Sequence, residues 1–155
     1  MDPDVDLSVL HRLRADVPAG EFLPDPPPVP AELGRGLDAH FAVRPADPAK
    51  DAGMVAEWMQ APQLEAAWEQ PWPAERWAAD WRAKLSTTYS VPVIVSYQGR
   101  DVGYMEIYRP HRDEIGKVYR SQPHDLGWHV AIGDASLTSN GIFGPFLRDL
   151  TGALM

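Results

Sequence analysis

Two apolar runs separated by a short polar break constrain this chain more than any other feature. Val91-Pro92-Val93-Ile94-Val95-Ser96-Tyr97 leads through Gln98-Gly99-Arg100-Asp101 into Val102-Gly103-Tyr104-Met105-Glu106-Ile107-Tyr108. Runs of β-branched and aromatic residues joined by so short a glycine-containing loop read as an antiparallel hairpin. On the returning strand Tyr104, Glu106 and Tyr108 alternate onto one face, with Met105 and Ile107 on the other. A glutamate set between two tyrosines is either an active-site acid or a hydrogen-bonded edge charge.

The flanking segments supply the other elements. His40-Phe41-Ala42-Val43-Arg44 reads as a first strand. Asp47 caps a helix with Pro48 in its first turn and Met54, Val55, Trp58 and Met59 at helical spacing; Pro62 ends it or follows its end. Pro73 opens a second helix, on which Trp77, Trp81 and Leu85 define one face. Trp68 and Trp72 flank a proline-containing loop, where large aromatics line ligand cavities. Residues 109–125 read as a polar loop with a short helical turn, its Arg109, Arg112, Lys117 and Arg120 solvated. Leu126 to Ile132 is a fourth strand with His129 at its middle. The glycine turn Asn140-Gly141-Ile142-Phe143-Gly144 and an amphipathic segment from Pro145 follow.

Residues 1–36 read as an appended arm ahead of a domain over 37–155. Leu7, Leu10, Leu13 and Arg14 fit a short helix, and the proline run from Phe22 to Pro30 runs extended. With no cysteine, disulfides and thiolate zinc sites are excluded, and the five histidines have no metal-ligand spacing. A net charge of −8 argues against a nucleic-acid or anionic-membrane binder and suits a soluble protein meeting cationic substrates. No long apolar run predicts a membrane span, and the N-terminus has no basic region of a secretory signal, so the expected compartment is the cytoplasm.

Strand, titratable group, glycine turn and helix start together suggest a base presented beside a phosphate-bearing ligand. The order of strand, helices, antiparallel meander, glycine turn and helix resembles the GCN5-related N-acetyltransferase (GNAT) fold, a mixed and mostly antiparallel sheet with flanking helices. Met54 to Met59, Ala67 to Trp77, Thr88 to Pro92, Gly103 to Tyr108 and Asp125 to Ile132 resemble the siderophore-biosynthesis branch of that superfamily, the lysine N-acyltransferases of mycobactin assembly and the N-hydroxylysine acetyltransferases of aerobactin assembly. The likeness implies transfer of an acyl group from acyl-coenzyme A or an acyl carrier protein to the side-chain nitrogen of lysine or N6-hydroxylysine, with no bound organic cofactor and no metal.

The resemblance assigns His129 to substrate contact or proton transfer. Imidazole ordinarily titrates near about 6.5, which suits a proton acceptor at neutral pH. Backbone amides near Val130, Ala131 and Ile132 are the candidates for the thioester oxygen and the pantetheine arm, and Asn140, Gly141 and Gly144 for the donor phosphates. Trp68, Trp72, Tyr104 and Trp128 are candidate walls for an acyl chain, and Glu106 a candidate substrate contact. Two features depart from the family pattern. Two residues separate Gly141 from Gly144 where one is usual, and Ser139-Asn140 stands where a basic residue is expected. The chain also stops inside the third helix, before the part in which the family carries a catalytic aspartate. The alternative to an active enzyme is therefore a truncated, catalytically inactive binding module.

Overall fold

The structure, a computed structural model, describes residues 5–29 and 41–133. Four strands form one antiparallel sheet in sequence order: β1 (Phe41–Pro45), β2 (Ser90–Tyr97), β3 (Arg100–Tyr108) and β4 (Gly127–Ile132). Three helices lie between β1 and β2: α1 (Ala52–Trp58), α2 (Pro62–Trp68) and α3 (Ala74–Leu85). The β2–β3 turn is tighter than the polar break suggests. Only Gln98 and Gly99 lie outside the strands, with φ of 52° and 79°. Paired left-handed residues match the twist of the flanking strands, and glycine accepts that conformation without strain.

Alternation along the strands sorts the core into two layers. Phe41, Val43, Val91, Val93, Val95, Met105 and Ile107 pack on one face, joined by Val29 from the arm. Ile94, Tyr104 and Ala131 point to the other face, where Val55 of α1, Met59 just past its end, and Trp77 and Trp81 of α3 cover them. Pro92 sits inside β2 without disrupting it. Its carbonyl accepts the Ala46 N–H at 2.9 Å, just past the end of β1. A residue's N–H and C=O point to the same side in an antiparallel ladder, so its missing donor removes nothing from the β2–β3 pairing.

Several elements differ from the sequence expectation. Asp47 Oδ1 accepts the Ala49 and Lys50 amides, but these begin a turn, and α1 starts only at Ala52. Pro62 follows the end of α1 as expected, but it also opens α2, a helix not expected from the sequence, because its absent N–H costs nothing at a first helical position. On α3, Trp77 and Trp81 are fully buried while Leu85 is 45% exposed. At about 100° per residue each four-residue step drifts about 40° around the helix, so Lys84, not Leu85, continues the buried stripe. In the expected helix of the arm, Leu7–Val9 forms a single 3-10 turn and Leu13 instead bridges Asp113; a second 3-10 turn follows at Ala19–Glu21. The 109–125 loop is partly interior. Arg109 and Arg112 are buried, donating to the His124 carbonyl and to Thr88 Oγ1, while Lys117 and Arg120 are exposed. No helix among the described residues is long and apolar enough to cross a membrane. His40, the glycine turn and the segment from Pro145 lie outside the described residues.

Candidate active site

The site forms where β3 and β4 face α2, α3 and the arm. Register pairs Tyr104 with Ala131, Glu106 with His129 and Tyr108 with Gly127, so these six residues share the helix-side face. His129 is exposed. The Tyr108 ring stacks on its imidazole at 4.8 Å and 12°, and the Trp68 ring meets it edge-on at 6.1 Å. That stack requires glycine at 127, where a Cβ would come within 2.9 Å of the Tyr108 ring.

Beneath His129 lies a buried polar network. Lys84 Nζ donates to Glu106 Oε1 at 2.6 Å and lies 2.7 Å from Asp80 Oδ2. The Tyr104 hydroxyl donates to the same Glu106 oxygen at 2.7 Å, and Trp81 Nε1 donates to Tyr104 Oη at 3.0 Å. Burial pushes the Glu106 carboxyl up, but the Lys84 charge and hydrogen bond, with those of Tyr104 and His129, hold it below its ordinary value. Burial wins at Asp80, which is raised despite Lys84 because Glu106 repels it. Lys84 is raised: desolvation opposes its charge, and the two carboxylates outweigh desolvation. Glu106 is thus a charged, paired group in a central strand with one carboxylate edge toward the site. Asp80 and Lys84 were legible only as opposite charges set on the same helix face as Trp77 and Trp81.

Two spaces border His129. A cavity of about 40 Å³ lies toward Leu10, Lys84, Tyr89 and Tyr108. A crevice of about 430 Å³ opens past Trp68, Trp128 and Val130. Arg12, Gln70, Glu106 and His129 border both. Of the predicted walls, Trp68 and Tyr104 stand together near His129, their rings 5.7 Å apart. Trp72 is displaced, packing on Trp77 at 4.7 Å beneath the Arg76 guanidinium. The Trp128 side chain packs with the opposite core layer, although the residue also borders the crevice. Arg12 carried no motif, and Gln70 lay in the Ala67 to Trp77 segment without being singled out; the fold brings both here.

Among the described residues no strand lies beyond β4. Gly133 N–H donates to the Val102 carbonyl at 2.8 Å, which fixes the ladder's alternation. The backbone groups of Gly127, His129 and Ala131 therefore face β3, and those of Trp128, Val130 and Ile132 face outward. No group of three or more His, Cys, Asp or Glu among the described residues is arranged to hold a metal ion. Asn140, Gly141 and Gly144 lie outside the described residues.

A meander of this order, packed on helices, ends in β4, the last strand among the described residues, beside a crevice. Residues 47–155 match the acetyltransferase (GNAT) domain, and the chain belongs to that family. It is 46% identical over 121 residues to the lysine N-acyltransferase MbtK of Mycobacterium sp. (strain MCS), covering 78% of this chain and 47% of that one. It is 32% identical over 139 residues to the N(6)-hydroxylysine O-acetyltransferase of Escherichia coli, covering 86% and 44%. The chain thus spans about half the length of these curated relatives. Aminoglycoside acetyltransferase AAC(6')-Ib, solved with coenzyme A, superposes with a TM-score of 0.63 at 19% identity over 74% of this chain and 66% of that one, a likeness of fold alone.

Proposed function

We propose that this chain carries the acceptor site of an acyltransferase of siderophore assembly, acting on the side-chain nitrogen of lysine or N6-hydroxylysine in the cytoplasm. The observation that carries the proposal is His129, an exposed imidazole between two aromatic rings, opposite a carboxylate and bordering a crevice. It occurs in a chain 46% identical to a lysine N-acyltransferase. The named activities of the relatives favour an acyltransferase over an inactive binding module.

Transfer begins with proton loss, because only a neutral nitrogen attacks. His129 takes that proton. The nitrogen lone pair forms a C–N bond at the thioester carbonyl, and negative charge collects on the carbonyl oxygen. Collapse breaks the C–S bond, and the second proton of the nitrogen passes to the departing sulfur, which leaves as the free thiol. The outward amides of Val130 or Ile132 donate to the developing oxyanion. The same edge pairs with the pantetheine arm of acyl-coenzyme A or an acyl carrier protein, as an added strand would. Ala131, its amide turned to β3, supplies side-chain packing beneath that edge. Asn140, Gly141 and Gly144 are the proposed phosphate contacts. Trp68 walls the acceptor end, backed by the buried Tyr104 ring.

The test is mass-spectrometric detection of acyl-lysine and acyl-N6-hydroxylysine formed from acyl-coenzyme A of graded chain length. His129→Gln is expected to lower the rate about 10²–10⁴-fold. A variant as active as the wild type overturns the assignment.

A further inference from the structure

The crevice carries a positive charge that the transfer step does not use. Arg12 comes from the N-terminal arm, outside the region matched to the acetyltransferase family, yet it borders both spaces at His129. The arm is fastened at this point. Leu10 is buried against Ala83, Tyr89 and Tyr108, Leu13 bridges Asp113, and the Glu114 amide donates to the Arg12 carbonyl at 2.9 Å. The guanidinium is fastened too. Arg12 Nη2 donates to Asp113 Oδ1 at 3.1 Å, and Asp113 is itself buried and held by the Tyr89 hydroxyl and the Ile115 amide. Asp113 takes one of the fork's five N–H donors, and the Arg12 side chain remains 49% exposed.

The other side of the crevice has the opposite character. Glu106 presents a carboxylate bound to Lys84 and Tyr104 through one oxygen only, and the Gln70 side-chain oxygen is buried without a hydrogen-bond partner. One space therefore offers a planar cationic fork and, separately, a carboxylate with an open acceptor. A ligand with a carboxylate at one end and an amine at the other satisfies both.

We infer that Arg12 is a specificity-determining residue, binding the α-carboxylate of an amino-acid acceptor whose side-chain amine lies at Glu106 and His129. The inference rests on the proposed acyltransferase reading and adds to it the contact that separates an amino acid from a simple diamine. A rigid guanidinium fork suits a carboxylate better than a lysine ammonium would.

The test is calorimetric binding of L-lysine and of cadaverine, its decarboxylated counterpart, to the full chain and to Arg12→Gln and Arg12→Lys. The wild type is expected to bind lysine at least about tenfold more tightly than cadaverine, the loss of one charge-assisted contact. Arg12→Gln brings that ratio toward one, and Arg12→Lys restores part of it. An unchanged ratio in Arg12→Gln, with lysine still bound, overturns the role of Arg12 alone. Failure of the wild type to bind lysine at all removes the acceptor site itself, and Arg12's role with it. Should Arg12→Gln not fold, lysine methyl ester on the wild type replaces it; an ester bound as tightly as lysine overturns the inference.

Discussion

Glu106 and His129 stand directly opposite each other across the β3–β4 ladder, and the glutamate reaches that position already bound by Lys84 and Tyr104 through one oxygen. The carboxylate is therefore oriented before any substrate arrives. Glu106→Gln keeps an acceptor for Lys84 and Tyr104 but removes the charge. Its expected effect is a rise in the KM for lysine of about 10–100-fold, the worth of a charge-assisted hydrogen bond, with a smaller change in kcat. Steady-state kinetics with lysine varied at saturating donor checks it, and a kcat loss with unchanged KM contradicts it.

Lys84 makes the pH behaviour of this network testable. Glu106 is held below its ordinary value of 4.5, so the stability it contributes is complete above that value and disappears as pH falls through the lower folded one. Asp80, raised above its ordinary 3.8, contributes with the opposite sign, because its ionisation in the folded chain costs free energy. Lys84→Met leaves both carboxyls buried without a cation. Both then bind protons more tightly folded than unfolded, and stability falls as pH rises. The gap in urea stability between wild type and Lys84→Met should widen from about pH 4 to about pH 7, reaching about 3–5 kcal/mol. A gap independent of pH would show that Lys84 acts only through packing.

The sheet was legible in the sequence because its signals are local. Alternation in 91–108 and the short polar break define the hairpin, and the run ending at Ile132 carries its histidine at the position the register requires. Short segments between Met54 and Ile132 also carried the family likeness. What escaped was set by tertiary contact. Pro62 was legible as following the end of α1, but the helix it opens was not, since proline has the same local meaning at either helix boundary. Lys84 and Asp80 carried no signal of their own, because their burial comes from the packing of α3 on the sheet. Arg12 lies in a segment whose short-helix pattern gave way to a bridge with Asp113, about a hundred residues away.

Away from the crevice, the Arg44–Asp51 pair joins β1 to the start of α1. Arg44 Nη1 and Nη2 donate to the two Asp51 oxygens at 2.8 and 3.0 Å, and the Asp47 amide donates to Asp51 at 2.7 Å. The Arg44 hydrogen bond, opposed by burial, is the largest influence holding the Asp51 carboxyl below its ordinary value. Asp51→Asn should cost about 1–3 kcal/mol by urea denaturation at neutral pH. The cost should shrink as pH falls through the folded Asp51 value, where the wild-type carboxylate is lost as well. Acyl transfer should be unchanged at temperatures where the variant is folded, since the pair does not touch the crevice.

Gly127 provides the sharpest separation of geometry from stability. It faces Tyr108 across the ladder, and the Tyr108 ring lies where a Cβ at 127 would stand, within 2.9–3.1 Å of three of its atoms. Backbone freedom is not the issue here, because the constraint is space. An alanine pushes the ring away from β4, and the ring is held on its far side by Leu10, Ala83 and Tyr89. The displacement must therefore be taken up in the stack on His129, which sits at 4.8 Å with nearly parallel planes. Overpacking of this kind costs about 1–3 kcal/mol. Under the proposed mechanism the loss of transfer rate should exceed what that destabilisation explains, because the imidazole itself is re-aimed. Gly127→Ala should remain folded in a circular dichroism melt at 25 °C yet transfer acyl groups at least about tenfold more slowly at saturating lysine. Pairing it with Tyr108→Leu, which relieves the crowding but removes the stacking ring, should recover the melting temperature and leave the rate low. A double variant that regains both would mean that the stack has no part in positioning His129.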